Sequence, residues 1–282
     1  MLLMVVCGLL VLAGLVAVVR WGAYEVRLAQ AGASSQPPSA GVVARRYTRY
    51  VTLAVLAGVG SGVLIVGAGG RLAMRLLAAT AGEGAQGRET DAEEIVGQIT
   101  TGGTIEFVLG EAIFLGPISG VIYLLIRRWL PAGRLGGLAY GLLLLVIAGT
   151  TFDPLRAGNP DFDIVGPGWV AVAVFSAVVV VHGMLVAALA GRYSRVLPLP
   201  SRDRRSLIPY APLIVLVPVA PAIVPIVAVG ALTVGLSRLA PLVGALRSHG
   251  ALIAGRVVLV AVGLIALPGC LSALVDIAGR QP

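Results

Sequence analysis

The chain carries little charge for its length. Asp, Glu, Lys and Arg make up 12% of its 282 residues, against about 25% in ordinary soluble domains. Hydrophobic residues make up 58%, and the mean hydropathy is +0.97. The surface of a soluble domain needs more charge than this, whereas a protein surface that faces lipid does not. The shortage of charge therefore excludes a soluble fold and predicts a single integral membrane domain over residues 1–282.

Lysine is absent, and cysteine and histidine are scarce. All 21 basic residues are arginine, and the net charge is +8. Cys7 and Cys270 lie in apolar segments and form neither a disulfide framework nor a CxxC metal site. With only His182 and His249, a histidine metal site is not expected. The arginines flank apolar segments, which indicates membrane orientation and anionic headgroups rather than nucleic acid.

Enzyme motifs are missing as well. The sequence contains no GxxxxGK[ST] phosphate loop, no HExxH helix and no GxSxG nucleophile elbow. The centres of the apolar segments also lack the aspartates of an intramembrane catalytic dyad. We therefore expect no catalytic residue, no metal and no cofactor, and we predict that the protein is not an enzyme.

Long apolar runs dominate what is present. A helix that crosses the hydrocarbon core of a bilayer needs about 20 apolar residues. Runs of that scale predict an all-α, polytopic transmembrane helical bundle of about seven spans, within a range of six to eight. The predicted spans are 2–19, 51–70, 104–126, 135–151, 169–189, 207–229 and 257–274. Residues 230–250, which contain Arg238, Pro241 and Arg247, stay unassigned.

The charges in the connections alternate in sign. Connections 20–49, 127–134 and 192–205 are rich in arginine, whereas 83–103 and 153–166 are rich in Asp and Glu. Because arginine-rich connections stay in the cytoplasm, we expect residues 20–49 to form a cytoplasmic linker. The N-terminus is then outside and the C-terminus in the cytoplasm. This pattern predicts a multi-pass protein of the plasma membrane.

The outer connection 83–103 contains a helix signal. Thr90 and Glu93 are spaced as a capping box, and the apolar residues Ile95 and Ile99 follow them. We therefore expect a short helix on the outer surface, ended by a turn at residues 100–103.

Charged residues in the membrane interior are costly and are functional candidates by default. The third predicted span contains Glu106 and Glu111, about 140° apart around a helix. Arg71 and Arg75 share one helical face and follow the second span at the same outer level. Pairing of these four residues predicts either a structural clamp, which is the commoner arrangement, or a proton or ion pathway with Glu111 as the carrier.

His182 and Pro117 are weaker candidates. His182 lies deep in the fifth span, where a hydrogen bond to a neighbouring helix is commoner than a proton relay. Pro117 removes a backbone donor and frees the carbonyl of Ile113, which would create a polar pocket beside Glu111. More often a membrane proline only kinks its helix.

Prolines and small residues suggest two further features. Pro218, Pro221 and Pro225 fall on one face of the sixth span. They predict either a broken helix that lines a substrate site or, more commonly, a kinked packing helix. Glycine pairs spaced four apart allow close helix contact, and they are Gly58 with Gly62 and Gly116 with Gly120.

Three functional classes follow from these features. The first is a carrier or channel for a small solute or ion, with an Arg/Glu polar pathway near the outer side. The second, nearly equal, is a non-catalytic membrane subunit or scaffold that holds partners by its small-residue faces or its basic linkers. An intramembrane enzyme ranks last. The predicted partners are the lipid bilayer, anionic lipid at the basic linkers, and a membrane protein or a second copy of the chain.

Overall fold

The computed structural model describes residues 1–27, 39–91, 94–152, 154–201, 203–219, 228–229 and 248–281. Within these ranges the regular secondary structure is helical, apart from one isolated β-bridge. The α-helices are α1 (Leu2–Trp21), α2 (Ala40–Ser61), α3 (Ala68–Thr80), α4 (Thr101–Ile126), α5 (Arg134–Leu144), α6 (Gly168–Val196), α7 (Arg204–Leu207) and α8 (His249–Ala278). The prediction of an all-helical membrane bundle is confirmed.

Five of the described helical stretches are long and apolar enough to cross a bilayer. These are Leu2–Trp21, Ala40–Thr80, Thr101–Ile126, Gly168–Val196 and His249–Ala278. The shorter apolar stretch Arg134–Gly149 consists of α5 and the π-helical turn Leu145–Gly149. Six of the seven predicted spans therefore correspond to a described helix, and the seventh, 207–229, lies partly outside the described residues.

The second predicted span, 51–70, belongs to a much longer helix. α2 continues through the π-helical turn Gly62–Gly67 into α3, which gives 41 residues of unbroken helix. The glycines at the two ends of this turn face the backbone of α4 at Ala112 and Val108. A wider turn is tolerated here because glycine leaves room for the displaced backbone.

Glycine also explains why α2 and α4 lie so close together. A Cβ added at Gly116 would lie 2.7 Å from the carbonyl oxygen of Gly58, and one added at Gly120 would collide with the carbonyl of Ala54. A Cβ at Gly62 would lie 2.6 Å from Cα of Ala112. The two predicted glycine pairs thus pack helix against helix, as small residues do in membranes.

α5 packs against α6 in the same way. Gly141 faces the carbonyl of Val180, Gly183 faces the backbone of Gly141, and Gly137 approaches Met184. Tyr140 lies in this contact and is 1% exposed. The main core therefore forms where α2, α4, α5 and α6 meet.

Arginine contacts define one end of the bundle, called here the Arg-rich end. The guanidinium of Arg192 lies 5.6 Å from the ring of Trp21, at the end of α1. Arg134 donates a hydrogen bond to Val19 O at 2.9 Å, and Arg127 donates one to Val26 O at 3.4 Å. The three connections predicted to be cytoplasmic therefore meet at one end.

The opposite end, called here the acidic end, collects both acidic connections and the C-terminus. The backbone N–H of Asp91 donates to Asp161 at 2.7 Å, and Arg156 pairs with Asp91 at 3.4 Å. Arg280 donates to Ala157 O at 2.6 Å and pairs with Asp163 at 3.4 Å. The end of α8 therefore lies beside the connections 83–103 and 153–166.

Both ends of the described chain lie at the acidic end of the bundle. α1 runs from Met1 to the Arg-rich end, so Met1 lies at the acidic end, as Arg280 does. Cys270 lies against Thr150 near the same end. Both cysteines are free thiols, as predicted.

The sixth predicted span, 207–229, is described only over 207–219 and 228–229. Its first part, Ile208–Val219, is a series of 3-10 turns beginning just after α7, and not a regular α-helix. Pro209 and Pro212 each remove a backbone donor from this segment. Tyr210 donates to Pro198 O at 2.5 Å, so the segment starts at the Arg-rich end. α8 begins at that same end, where Gly255 contacts Trp129. Residues 220–227 and 230–247 lie outside the described residues.

A surface helix beginning at Thr90 is not found in the described residues of 83–103, which exclude 92 and 93 and contain one 3-10 turn, Glu83–Ala85. Glu89 and Ile95 form an antiparallel β-bridge, and Thr90 N donates to Glu94 O at 2.9 Å. The Thr90 hydroxyl contacts the backbone of Glu94 across this turn and does not cap a helix. The N-cap is instead Thr100, whose hydroxyl accepts from Gly103 N at 3.2 Å to begin α4.

Candidate functional site

Arg71 and Arg75 lie on the outer half of α3 and contact α4 and the loop before it. Arg71 donates through Nε to the Thr104 hydroxyl at 3.4 Å, and its guanidinium lies 5.8 Å from the Phe107 ring. Arg75 donates to Gly97 O at 3.4 Å. These contacts hold the two arginines, and their pairing with Glu106 and Glu111 stays a prediction.

Glu106 and Glu111 lie along the side of α4 that faces away from α2. They border a shallow groove of about 340 Å³, called here the α4 groove. Its lining comes entirely from α4 and consists of Glu106, Phe107, Gly110, Glu111, Phe114 and Leu115. Glu106 is exposed and Glu111 is partly buried. A Cβ added at Gly110 would meet nothing within 4 Å, so the groove is open at that residue.

His182 is the centre of a second polar group, which is fully inside the bundle. Its Nδ1 lies 2.8 Å from the Ser61 hydroxyl on α2, and its Nε2 lies 2.9 Å from the Ser119 hydroxyl on α4. The Ser119 hydroxyl lies 3.1 Å from the Tyr140 hydroxyl on α5. These four residues, called here the His182 network, join α2, α4, α5 and α6.

The His182 network has four protons for five contacts, and one arrangement satisfies all of them except the 3.1 Å contact between the Ser119 and Tyr140 hydroxyls. Ser61 donates to the carbonyl of His182 at 3.0 Å, and Tyr140 donates to the carbonyl of Ser119 at 2.6 Å. A neutral imidazole can then donate from Nδ1 to Ser61 and accept at Nε2 from Ser119. His182 is 6% exposed and Tyr140 1%. Each side chain of the network therefore has a hydrogen-bonding partner on a neighbouring helix, and the choice between a structural bond and a proton relay at His182 stays a prediction.

No signal in the sequence selected three of these four residues. Ser61, Ser119 and Tyr140 are ordinary hydroxyl residues within apolar runs, and each lies on a different helix. Their common depth is recognisable only once the helices are aligned in space. A search for hydroxyl residues near the centres of the spans is the sequence signal that would have selected them.

The proline candidates lie in different surroundings. Pro117 is buried at the α2 contact, where a Cβ on Gly58 would lie 3.1 Å from its nitrogen. It therefore packs against α2 and does not line the α4 groove. Pro218 belongs to the 3-10 segment, while Pro221 and Pro225 lie outside the described residues. Whether the three stack on one face stays a prediction.

Arg49 is a buried arginine, although the sequence analysis assigned it only to the cytoplasmic linker 20–49. It is 6% exposed and donates through Nε to Leu197 O at 3.0 Å. Its Nη2 donates to Ser194 O at 2.5 Å. A cation bound to the final carbonyls of α6 satisfies acceptors that the helix leaves open and opposes the negative end of its dipole. This contact fixes α2 to α6 at the Arg-rich end.

The described residues contain no group of three His, Cys, Asp or Glu side chains that could hold a metal ion. No protein-family model, curated protein or solved structure matches the chain. Its function has to be inferred from the positions of its polar residues.

Proposed function

We propose that this protein is a non-catalytic membrane subunit that binds a transmembrane helix of another protein along the α4 groove. The observation that carries the proposal is the position of the intramembrane carboxylates. Glu106 and Glu111 border a groove that opens away from the bundle, and not a passage through it.

Tight packing of the interior supports a subunit over a conduit. α2 and α4 approach until backbone contacts backbone at Gly58 and Gly116, and α5 and α6 do so at Gly141 and Gly183. The polar groups between these pairs are satisfied within the His182 network. Packing of this kind leaves no room for a solute between these helices.

The chemistry of the groove indicates what binds there. A carboxylate beside lipid is stabilised by a cationic partner or by water. Gly110 allows a helix to approach closely, and Phe107, Phe114 and Leu115 offer apolar walls. The occupant that fits is a transmembrane helix with an Arg or Lys at the level of Glu106.

Site-specific photocrosslinking in native membranes tests this proposal. A photoreactive amino acid at Leu115 is expected to give a protein adduct, and one at Ile265 on α8, which is 80% exposed, only lipid adducts. Glu106→Gln should reduce the Leu115 adduct. The adduct mass distinguishes a second copy of the chain from a different protein. Equal protein adducts at both positions, or an adduct indifferent to Glu106→Gln, would contradict the proposal.

A carrier of protons or small cations is the second candidate, because the α4 groove extends to Glu111. This function requires flux through the protein. Proteoliposomes containing the wild type should then dissipate a pH gradient faster than protein-free vesicles, and Glu111→Gln should abolish the difference. No difference between the two vesicles would leave the subunit proposal as the better one.

We also propose that the Arg-rich end lies in the cytoplasm of a cell with this protein in its plasma membrane, and that both termini are outside. The proposal combines the positive-inside rule with the placement of Met1 and Arg280 at the acidic end. Single cysteines in a background without Cys7 and Cys270 test it with a membrane-impermeant reagent. Gln86 and Gly279 should be labelled in intact cells, and Ser201 only after lysis. Labelling of Ser201 alone in intact cells would invert this orientation.

A further inference from the structure

A narrow cleft opens at the Arg-rich end between α1, α5 and α6, and it is separate from both the α4 groove and the His182 network. Its volume is about 170 Å³. Apolar or small residues form most of its wall, with one charged residue among them. The lining consists of Val18, Val19, Gly22, Arg134, Gly137 and Met184. An apolar wall with one cationic side chain is the kind of site that binds an amphiphilic molecule.

Arg134 is held beside this cleft by a defined contact. It is the first residue of α5 and donates through Nη2 to Val19 O at 2.9 Å. The remaining guanidinium N–H groups stay available to an anion, because a guanidinium has five donors. Gly137, one turn further along α5, also lines the cleft. The positive end of the α5 dipole therefore borders the same space.

The surroundings of the cleft add positive charge. Arg192 lies over Trp21 at 5.6 Å on one side, and Arg20 precedes Trp21 in α1. No Asp or Glu belongs to the lining, and Glu25 lies beyond Gly22 in the connection that follows α1. An anion is therefore favoured over a cation or a neutral group.

We propose that this cleft binds the phosphate and upper acyl region of an anionic phospholipid, with the phosphate on Arg134. The cleft is smaller than the roughly 300–1,000 Å³ of sites that enclose a drug-sized ligand. It takes part of a lipid while the remainder of the acyl chains stays in the bilayer. The cytoplasmic leaflet, where the Arg-rich end is proposed to lie, is also the leaflet with negative surface charge.

Native mass spectrometry of the purified full-length chain in detergent tests the proposal. Phosphatidylglycerol and phosphatidylcholine with identical acyl chains serve as the two probes, so only headgroup charge differs. The wild type is expected to retain one phosphatidylglycerol in preference to phosphatidylcholine. Arg134→Gln should weaken that retention about fivefold, which corresponds to about 1 kcal/mol per arginine at an anionic surface.

Two further variants separate this site from general attraction to basic residues. Val19→Trp fills the mouth of the cleft at an exposed position and should weaken retention while leaving Arg134 in place. Arg205→Gln removes an exposed arginine of the same end that does not line the cleft, and it should have no effect. Thermal unfolding of each variant confirms folding, and if Arg134→Gln does not fold, Val19→Trp decides.

Three results would overturn the proposal. Equal retention of the two lipids would show that headgroup charge is not recognised. Equal losses in Arg134→Gln and Arg205→Gln would show that charge at this end acts without a site. Unchanged retention in a folded Val19→Trp would show that the lipid binds elsewhere.

Discussion

The two faces of α4 meet opposite surroundings, although both belong to one helix. The face toward α2 carries Gly116 and Gly120, and its contacts are backbone on backbone. The outward face carries Gly110 between Glu106 and Glu111, where an added Cβ would meet open space. Glycine therefore has two uses in this helix. On the inner face glycine allows α2 and α4 to pack closely, and on the outward face it leaves the α4 groove open.

The polar residues on the two faces differ in the same sense. Ser119, on the inner face, belongs to a network in which every hydroxyl has a partner. Glu106, on the outward face, is exposed. Polar groups inside the bundle thus bond to one another, whereas the carboxylate of Glu106 is exposed on the outward face.

Exchange of glycine for alanine on the two faces should separate them most clearly. Gly116→Ala forces backbone apart at Gly58 and should cost about 3 kcal/mol, the upper part of the range for overpacked cores. Gly110→Ala should be neutral or stabilising by about 0.5–1 kcal/mol, because alanine favours helix. Thermal unfolding in detergent measures both. Similar melting temperatures for the two variants would contradict the close contact between α2 and α4.

Removal of the histidine at the centre of the inner network should have the next largest effect. His182→Ala leaves the hydroxyls of Ser61 and Ser119 without their ring partner and creates a cavity, so we expect a loss of about 2–3 kcal/mol. Denaturant unfolding of the purified protein measures it. An unchanged midpoint would mean that the network does not hold the four helices together.

The tyrosine at the end of the network should matter less. Tyr140→Phe removes the bond to the Ser119 carbonyl, while the Ser119 hydroxyl keeps His182. Interhelical hydrogen bonds in membranes contribute about 0.6 kcal/mol on average, so the expected loss is about that size. The same unfolding experiment measures this loss of stability. A loss as large as that of His182→Ala would mean that the Tyr140 hydroxyl also contributes to packing, beyond one hydrogen bond.

The smallest effect on stability is expected on the outward face. Glu106→Gln should change the free energy of unfolding by no more than about 0.5 kcal/mol, as exposed substitutions usually do. Its consequence should appear instead in the yield of the Leu115 crosslink. A large drop in melting temperature in the isolated protein would show that Glu106 belongs to the fold and not to a partner surface.

Sequence reasoning was sufficient for the elements that hydrophobicity dictates. The helices α1, α4, α6 and α8 cover the predicted spans 2–19, 104–126, 169–189 and 257–274 because long apolar runs have no other stable form in lipid. It was less informative for 207–229, whose described part Ile208–Val219 is a series of 3-10 turns. There Pro209 and Pro212 remove backbone donors.

The candidate sites were less predictable than the fold. Depth along α4 was readable from residue number, so Glu106 and Glu111 were assigned to the outer half. Which way a side chain points around the helix depends on its neighbours, and no pattern in the sequence disclosed that α2 lies against Gly116. The His182 network combines residues from four helices, and its members become related only by packing.

The unbroken helix from Ala40 to Thr80 sets a length for the whole protein. Arg49 and Arg71 bracket its uncharged middle and are separated by about 33 Å at 1.5 Å per residue. That distance is close to the hydrocarbon thickness of about 30 Å. Because this helix cannot shorten, a thinner bilayer must either tilt it or thicken locally around it. Hydrophobic mismatch therefore makes a bilayer about as thick as this helix the least costly one for the protein.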